Sequence, residues 1–325
     1  MNTLLTLLAT ICLASNSGIQ EENAEETDFY RVAVMGASAS AGYGVVFEVE
    51  QDGNRKKTGV NLTDIFQAAC DHEEIVFLDL SSGLFFLRPI SYAQAAVTRA
   101  KIWRADLVLG IDFLFWCLYG NDDGKGGRLE SEAQRLDKLE MGLKILDELE
   151  VPVIVGDIPD MTQIGGYLLS KSQRPTQENV QKANKRIHEW ASTRPNVEVV
   201  GLHDFIVHVH ARESFEIGPH SWDIANEDIE IIGQDQLHPS LDGLIALAQA
   251  LNEGARGSQE VQTALPPLNL ARETIYTRLR RGKKSPRRAY FRSAHLGCSL
   301  RRARSPWRSL SLSAASSARV IAARR

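Results

Sequence analysis

A three-layer α/β/α domain, with about five parallel strands in its central sheet, is the fold class this sequence predicts. Three observations lead there. Apolar runs of strand length alternate with helical stretches over most of the 325 residues. The runs are continuously apolar, as in Val151-Pro152-Val153-Ile154-Val155, which is how parallel strands buried on both faces read. No repeat with a period of roughly 20–50 residues is present, which excludes a solenoid.

The elements follow in order. Met1 to Ser17 reads as a signal peptide: Leu4 to Ala14 is an apolar run too short to span a bilayer, with small residues after it for cleavage. No Lys or Arg precedes the run, yet export to a periplasmic or extracellular space is the favoured reading, with no transmembrane segment once the signal is removed. Residues 18–29 are an acidic, flexible entry. Residues 30–256 form the predicted domain. Its first strand is Val32-Ala33-Val34-Met35-Gly36, followed by a small-residue loop through Gly44. Glu50 to Lys57 reads as a polar loop, and Asn61 as the N-cap of a helix reaching Cys70.

A second strand, Ile75 to Leu80, ends in Ser81-Ser82-Gly83; a helix over 91–103 follows. Further strands lie over 106–112, 151–157 and 197–201, and helices over 128–150, 175–192 and 241–253. The 128–150 helix carries Leu129, Leu136, Leu139, Leu143, Leu146 and Leu149 near one stripe.

Residues 257–325 change character. From Arg278 onward there are 15 Lys or Arg and no acidic residue, so residues 1–277 hold 22 basic against 41 acidic side chains, a net of −19. The tail is read as disordered. A solvated tail or a shifted reading frame ranks ahead of a specific basic arm. An acidic body repels phosphate, so nucleic acid is not an expected partner. Four scattered cysteines without a CxxC give neither a disulfide framework nor a zinc site. His203, His208, His210 and His220 cluster in sequence, and His208 and His210 would share a face on a strand, but no HExxH-type carboxylate accompanies them. No metal or cofactor is expected.

In an open parallel sheet, function gathers beyond the carboxyl ends of the strands. Those ends carry Ser38, Gly83, Asp112 and Asp157. Ser38 lies two residues beyond Gly36, which lets the backbone turn sharply, among small residues that leave its hydroxyl approachable. A base is supplied far away, in Gly233-Gln234-Asp235-Gln236-Leu237-His238-Pro239-Ser240. His238 can take a proton from a Ser hydroxyl, and Asp235 can orient the imidazole and stabilise its charged form.

These two stretches resemble the SGNH/GDSL hydrolase family. The family's first block, G-D-S-L-T-A-G-Y-G, stands against Gly36-Ala37-Ser38-Ala39-Ser40-Ala41-Gly42-Tyr43-Gly44, and its last, D-x-x-H-P, matches Asp235 to Pro239. The resemblance covers roughly Tyr30 to Gly254. It implies the flavodoxin-like SGNH fold and cleavage of a small-molecule, lipid or carbohydrate ester; a monomer is a separate expectation. It also implies Ser38 as nucleophile, His238 as base and Asp235 as its orienting acid, with the N–H groups of Ser38 and Gly83 in the oxyanion hole. Ser40, the rival hydroxyl, occupies the family's Thr position. Two departures stand out. Ala37 replaces the Asp of GDS, and Asp112 in Gly110-Ile111-Asp112-Phe113 stands where the family has the Asn of G-x-N-D. An ionised Asp donates no hydrogen bond to an oxyanion. Asp112 could stay protonated beside Phe113, Phe115 and Trp116; Asn121 could serve from the following loop; or the hole is weakened and the chain is a binding or accessory domain. Asp112 and Asp157 are also candidates for the pocket wall.

Overall fold

In the computed structural model, residues 29–51, 53–162, 168–225, 229–257 and 265–281 are described. The signal-like segment, the acidic entry up to residue 28 and residues 282–325 of the expected tail lie outside them.

Five strands form one parallel sheet in the order β4-β1-β5-β6-β7: β1 Tyr30–Gly36, β4 Ile75–Ser81, β5 Leu107–Gly110, β6 Val153–Gly156 and β7 Val197–Val200. Val32, Ala33, Val34 and Met35 are wholly buried, as a strand with helices on both faces requires. On one face pack α1 (Leu62–Ala69) and α7 (Leu241–Gly257); on the other lie α2 (Pro89–Ile102), α4 (Glu132–Leu146) and α5 (Gln177–Ala191). The fold class is the three-layer α/β/α sandwich that the alternation of runs predicts.

Helix starts are set by local chemistry. Asn61 and Asp64 form a reciprocal capping box on α1, and Ser131 and Gln134 do the same on α4. Pro89 opens α2, where its missing N–H has no intrahelical partner to lose.

The chain leaves β1 for β4 on one side, then returns to pair β5 with the other edge of β1. That reversal opens a crevice at the carboxyl ends of β1 and β5, the topological position where open α/β sheets bind ligands. Ser38 follows β1 and Asp112 follows β5.

Four segments differ from expectation. Residues 50–57 do not form a loop but most of an antiparallel hairpin, β2 (Val46–Gln51) with β3 (Asn54–Gly59), in which Glu48 faces Lys57 and Glu50 faces Arg55. Opposite charges across the strand pair offset the lack of apolar side chains in β3. His208 and His210 sit not on a strand but on α6 (Leu202–Ala211), where residues two apart point in different directions. A short hairpin, β8 (Phe215–Ile217) with β9 (His220–Trp222), follows.

Finally, the domain does not end at residue 256. Residues 265–281 run back onto it, and α8 (Arg272–Arg280) packs against α1 and β2 with Ile275 and Leu279 buried. Arg278 donates to the Ala68 carbonyl at 2.9 Å, and Arg272 grips Asp242 at 2.7 and 2.9 Å. The basic composition conceals this helix, because its apolar positions are few and spaced for one face.

One short helix, α3 (Phe115–Leu118), lies just beyond β5 and is buried throughout. The carbonyls at and beyond its end would be orphaned, but Arg135 donates to those of Leu118 and Gly120 and the buried Lys138 to that of Tyr119 at 2.7 Å. Burial lowers the Lys138 ammonium to about 8. Two cations from α4 thereby hold the segment that carries Asp112.

Candidate active site

The turn after β1 is set by two glycines. Gly36 has φ of +154°, and a Cβ there would collide with Asp112 Oδ1 and the Ser40 side chain. Gly42, at φ +64°, passes so close to the Val60 carbonyl that no side chain fits. Between them the chain coils tightly, with the Tyr43 N–H donating to the Ser38 carbonyl at 2.9 Å.

Asp112 holds this coil from below. Its Oδ1 accepts from the Ala37 N–H at 3.0 Å and the Ser40 hydroxyl at 2.6 Å; its Oδ2 accepts from the N–H groups of Ala39 and Ser40 at 2.9 and 3.2 Å. Burial pushes the Asp112 carboxyl above its ordinary range, against the pull of the Ser40 hydroxyl and the three backbone donors. Asp112 thus spans both departures from the family blocks. Ala37 brings no carboxylate to the turn, and the end of β5 brings one instead.

The Ser38 N–H is left out of this network. Among the described residues it has no acceptor, and neither has the Gly83 N–H. The Ser82 N–H donates to the Gly36 carbonyl at 2.9 Å, which stitches the start of the Gly83 segment to the end of β1. A Cβ at Gly83 would meet nothing, so that side is open.

The second half of the site lies between β9 and α7. The Gly233 N–H donates to the His238 carbonyl at 2.8 Å, and Gln236 adopts φ +60° to close the turn. A non-glycine residue held in the left-handed region costs on the order of 1 kcal/mol, which the surrounding bonds must offset. Asp235 Oδ1 accepts from the N–H groups of Leu237 and His238, both at 2.9 Å, and Oδ2 lies 2.7 Å from His238 Nδ1. Burial by itself would raise the Asp235 carboxyl, but the His238 N–H, its ring and the Leu237 N–H hold it below the ordinary range.

With Nδ1–H donating to Asp235, His238 Nε2 is left as an acceptor, and the Ser38 hydroxyl lies 2.9 Å from it. Residues 200 positions apart meet here. The hydroxyl has a base in reach, and the base has a carboxylate behind it; this arrangement can move a proton off Ser38 as the oxygen attacks.

The structure therefore brings Ser38, His238 and Asp235 together, with Asp112 beneath the turn. It leaves two other candidates elsewhere. Asn121 points its amide at Ser172 Oγ, 3.4 Å away, and is no part of the cavity beside Ser38. Asp157 accepts from the His203 N–H at 2.7 Å, capping the first turn of α6, with His188 Nε2 at 3.3 Å from its other oxygen. Among the described residues, no three His, Cys, Asp or Glu side chains gather as metal ligands would. No described helix is long and apolar enough to cross a membrane.

Two features escape sequence reasoning. The Tyr43 ring rests against the His238 imidazole, centroids 4.5 Å apart, although it is 54% exposed. Its position between Gly42 and Gly44 is the only signal, and it does not say what the ring touches. The other is a cavity of about 60 Å³ that opens at Ser38. Among the described residues that line it, Asp112 and Ser38 alone carry polar side chains.

No family model matches the chain, and no curated protein does. Solved structures give distant likenesses. The chain is similar to a GDSL-like lipase from Parabacteroides merdae at 11% identity and a TM-score of 0.45, covering 70% of this chain and 95% of that one. It is similar to a catalytic mutant of an acetylxylan esterase from Geobacillus stearothermophilus at 14% identity and a TM-score of 0.42, covering 69% and 93%. A gut microbial diltiazem-metabolizing enzyme matches at 13% identity and a TM-score of 0.42, over 70% of this chain but only 47% of that one. The first two carry lipase and esterase names.

Proposed function

We propose that this protein is a serine hydrolase that cleaves a carboxylic ester through a covalent acyl-enzyme. The observation that carries this reading is the continuous chain Ser38 Oγ, His238 Nε2, His238 Nδ1, Asp235 Oδ2, with heavy-atom separations of 2.9 and 2.7 Å. Ser38 Oγ attacks the ester carbonyl while His238 Nε2 takes its proton. Asp235 keeps the imidazole in the tautomer that can accept, then stabilises the imidazolium. The tetrahedral oxyanion is held by the N–H groups of Ser38 and Gly83. Its collapse breaks the bond to the alcohol oxygen, which leaves with the proton from His238. Water, deprotonated by the same nitrogen, attacks the acyl carbon and releases Ser38 and a carboxylic acid. The chemistry needs no metal or organic cofactor, and the reading includes an exported, monomeric enzyme.

Fluorophosphonate labelling tests it. Wild-type protein should be labelled and the Ser38→Ala variant should not. An unlabelled wild type, or equal labelling of the variant, overturns the assignment.

One observation favours a second reading, a binding or accessory domain on the same fold. Among the described residues no side-chain amide lines the cavity beside the two backbone donors, and a missing oxyanion donor typically costs about 3–4 kcal/mol of transition-state stabilisation. Steady-state ester turnover that depends on Ser38 decides for the enzyme; stoichiometric labelling without turnover decides for the weakened module.

A further inference from the structure

The cavity at Ser38 has a composition that the hydrolytic reading does not require. Proton transfer runs through Ser38, His238 and Asp235, and the Gly83 segment beyond β4 lies on one side of Ser38. The cavity extends the other way. Beyond Ser38 and Asp112 it is walled by Ile111 and Phe115 after β5, Met161 after β6, Ile206 on α6 and Leu247 on α7, and it is roofed by the loop that carries His238. These side chains come from five separate segments, and their carbon surfaces face a shared void. Away from Ser38 and Asp112 these walls offer no side-chain hydrogen-bond partner to sugar hydroxyls, and burying one there without a partner opposes binding.

An ester has two ends, and the two steps of the reaction treat them differently. The alcohol departs in the first step and needs an open exit. The acyl chain stays bound to Ser38 until water arrives and needs a place to remain. The side of Gly83 is open, with Leu84 54% and Tyr43 54% exposed. The apolar side is the cavity.

We propose that this cavity is an acyl pocket, and that the substrate is an ester of a medium-length aliphatic acid. This rests on the serine-hydrolase reading above. By the measure in which one water needs roughly 10–15 Å³, a cavity of about 60 Å³ takes about four to six water-sized groups. A methylene is of similar size, so the chain that fills it has about five to seven carbons including the carbonyl. An acetyl group leaves most of it empty.

Two measurements test the pocket separately from the chemistry. In the first, kcat/KM is compared for p-nitrophenyl acetate and hexanoate. Each methylene removed from water is worth roughly a fourfold gain, so hexanoate should exceed acetate by at least ~10-fold after imperfect filling. Leu247→Trp, which fills the pocket, should cut the hexanoate-to-acetate ratio about tenfold. Leu247→Ala should move the optimum to a longer chain, and Ile206→Trp repeats the filling from a different helix in case one variant does not fold. In the second, calorimetry reads binding of hexanoate and acetate anions to Ser38→Ala protein, where no turnover occurs, and hexanoate should bind more tightly.

A flat or acetate-favouring acyl profile overturns the pocket while leaving the hydrolase intact. So does a gain seen instead on lengthening the alcohol of acetate esters. Tighter hexanoate binding to a protein that shows no Ser38-dependent hydrolysis overturns the hydrolase reading and keeps the pocket as a binding site for the acid.

Discussion

Two carboxylates do the same mechanical job in this molecule under opposite conditions. Asp112 takes three backbone N–H groups of the turn that carries Ser38, and Asp235 takes two of the turn that carries His238. Each fixes the direction in which its side chain leaves the backbone. Asp112 reaches its turn from more than 70 residues away and is buried, only 7% exposed. Asp235 reaches its turn from within three residues, with a side chain 34% exposed. Burial raises the first carboxyl, while hydrogen bonds to the second outweigh burial and lower it. The buried carboxylate sets shape. The half-exposed one also carries a reactive partner, because it keeps its charge for the imidazole.

Breaking the two should separate these roles. Asp235→Asn retains an acceptor for the Leu237 and His238 N–H groups but favours the wrong imidazole tautomer. The expected result is a fall in kcat of about 10⁴ with little change in melting temperature, read by ester turnover and calorimetry. Asp112→Asn should do the reverse. Both its oxygens accept from N–H groups, so an amide NH₂ must face a donor, and the turn loses about 1–3 kcal/mol, a fall of several degrees in Tm. An Asp112→Asn protein as stable as wild type would place the carboxylate outside the turn's support.

The pH dependence should also have opposite signs. Asp112 sits above its unfolded value of about 3.9, so its titration contributes stability below that pH and loses it as pH rises through the folded value. Asp235 sits below its unfolded value, so its contribution is present above about pH 3.9 and is lost as pH falls through the folded value. Chemical denaturation from about pH 3 to 7 should show the Asp112→Ala deficit growing towards acid and the Asp235→Ala deficit shrinking. Neither slope can exceed about 1.4 kcal/mol per pH unit for a single group. The smallest effect belongs to Tyr43→Ala. It uncovers one face of His238 without removing a bond, so kcat/KM should fall by less than about tenfold, with its pH profile reporting the base directly.

Much of the framework can be read from the chain. The strand runs and the Asn61 cap are governed by bonds and periodicities only a few residues long, and the glycines of the Gly36-to-Gly44 stretch mark a turn by themselves. The β2–β3 hairpin and α8 are not legible in the same way. One is stabilised by cross-strand charge pairs, the other by burial of Ile275 and Leu279 against surfaces that sequence patterns do not display. Asn121 is an instructive case, because its nearness in sequence to Asp112 suggests a shared site. The buried turn of α3 directs the chain away, and the amide ends at Ser172.

The amino-acid sequence by itself determined the α/β alternation and the local pairing of Asp235 with His238, three residues apart, because both depend on short-range geometry. Only the tertiary structure decided which hydroxyl His238 meets, since closing that 2.9 Å contact takes the whole sheet and α7 to set two distant loops side by side. It also decided what Asp112 does. A carboxylate read as a fault in an oxyanion hole becomes a brace under the turn that carries Ser38 once β1 and β5 pair, because the first of the donors around it lies at a strand end 75 residues earlier.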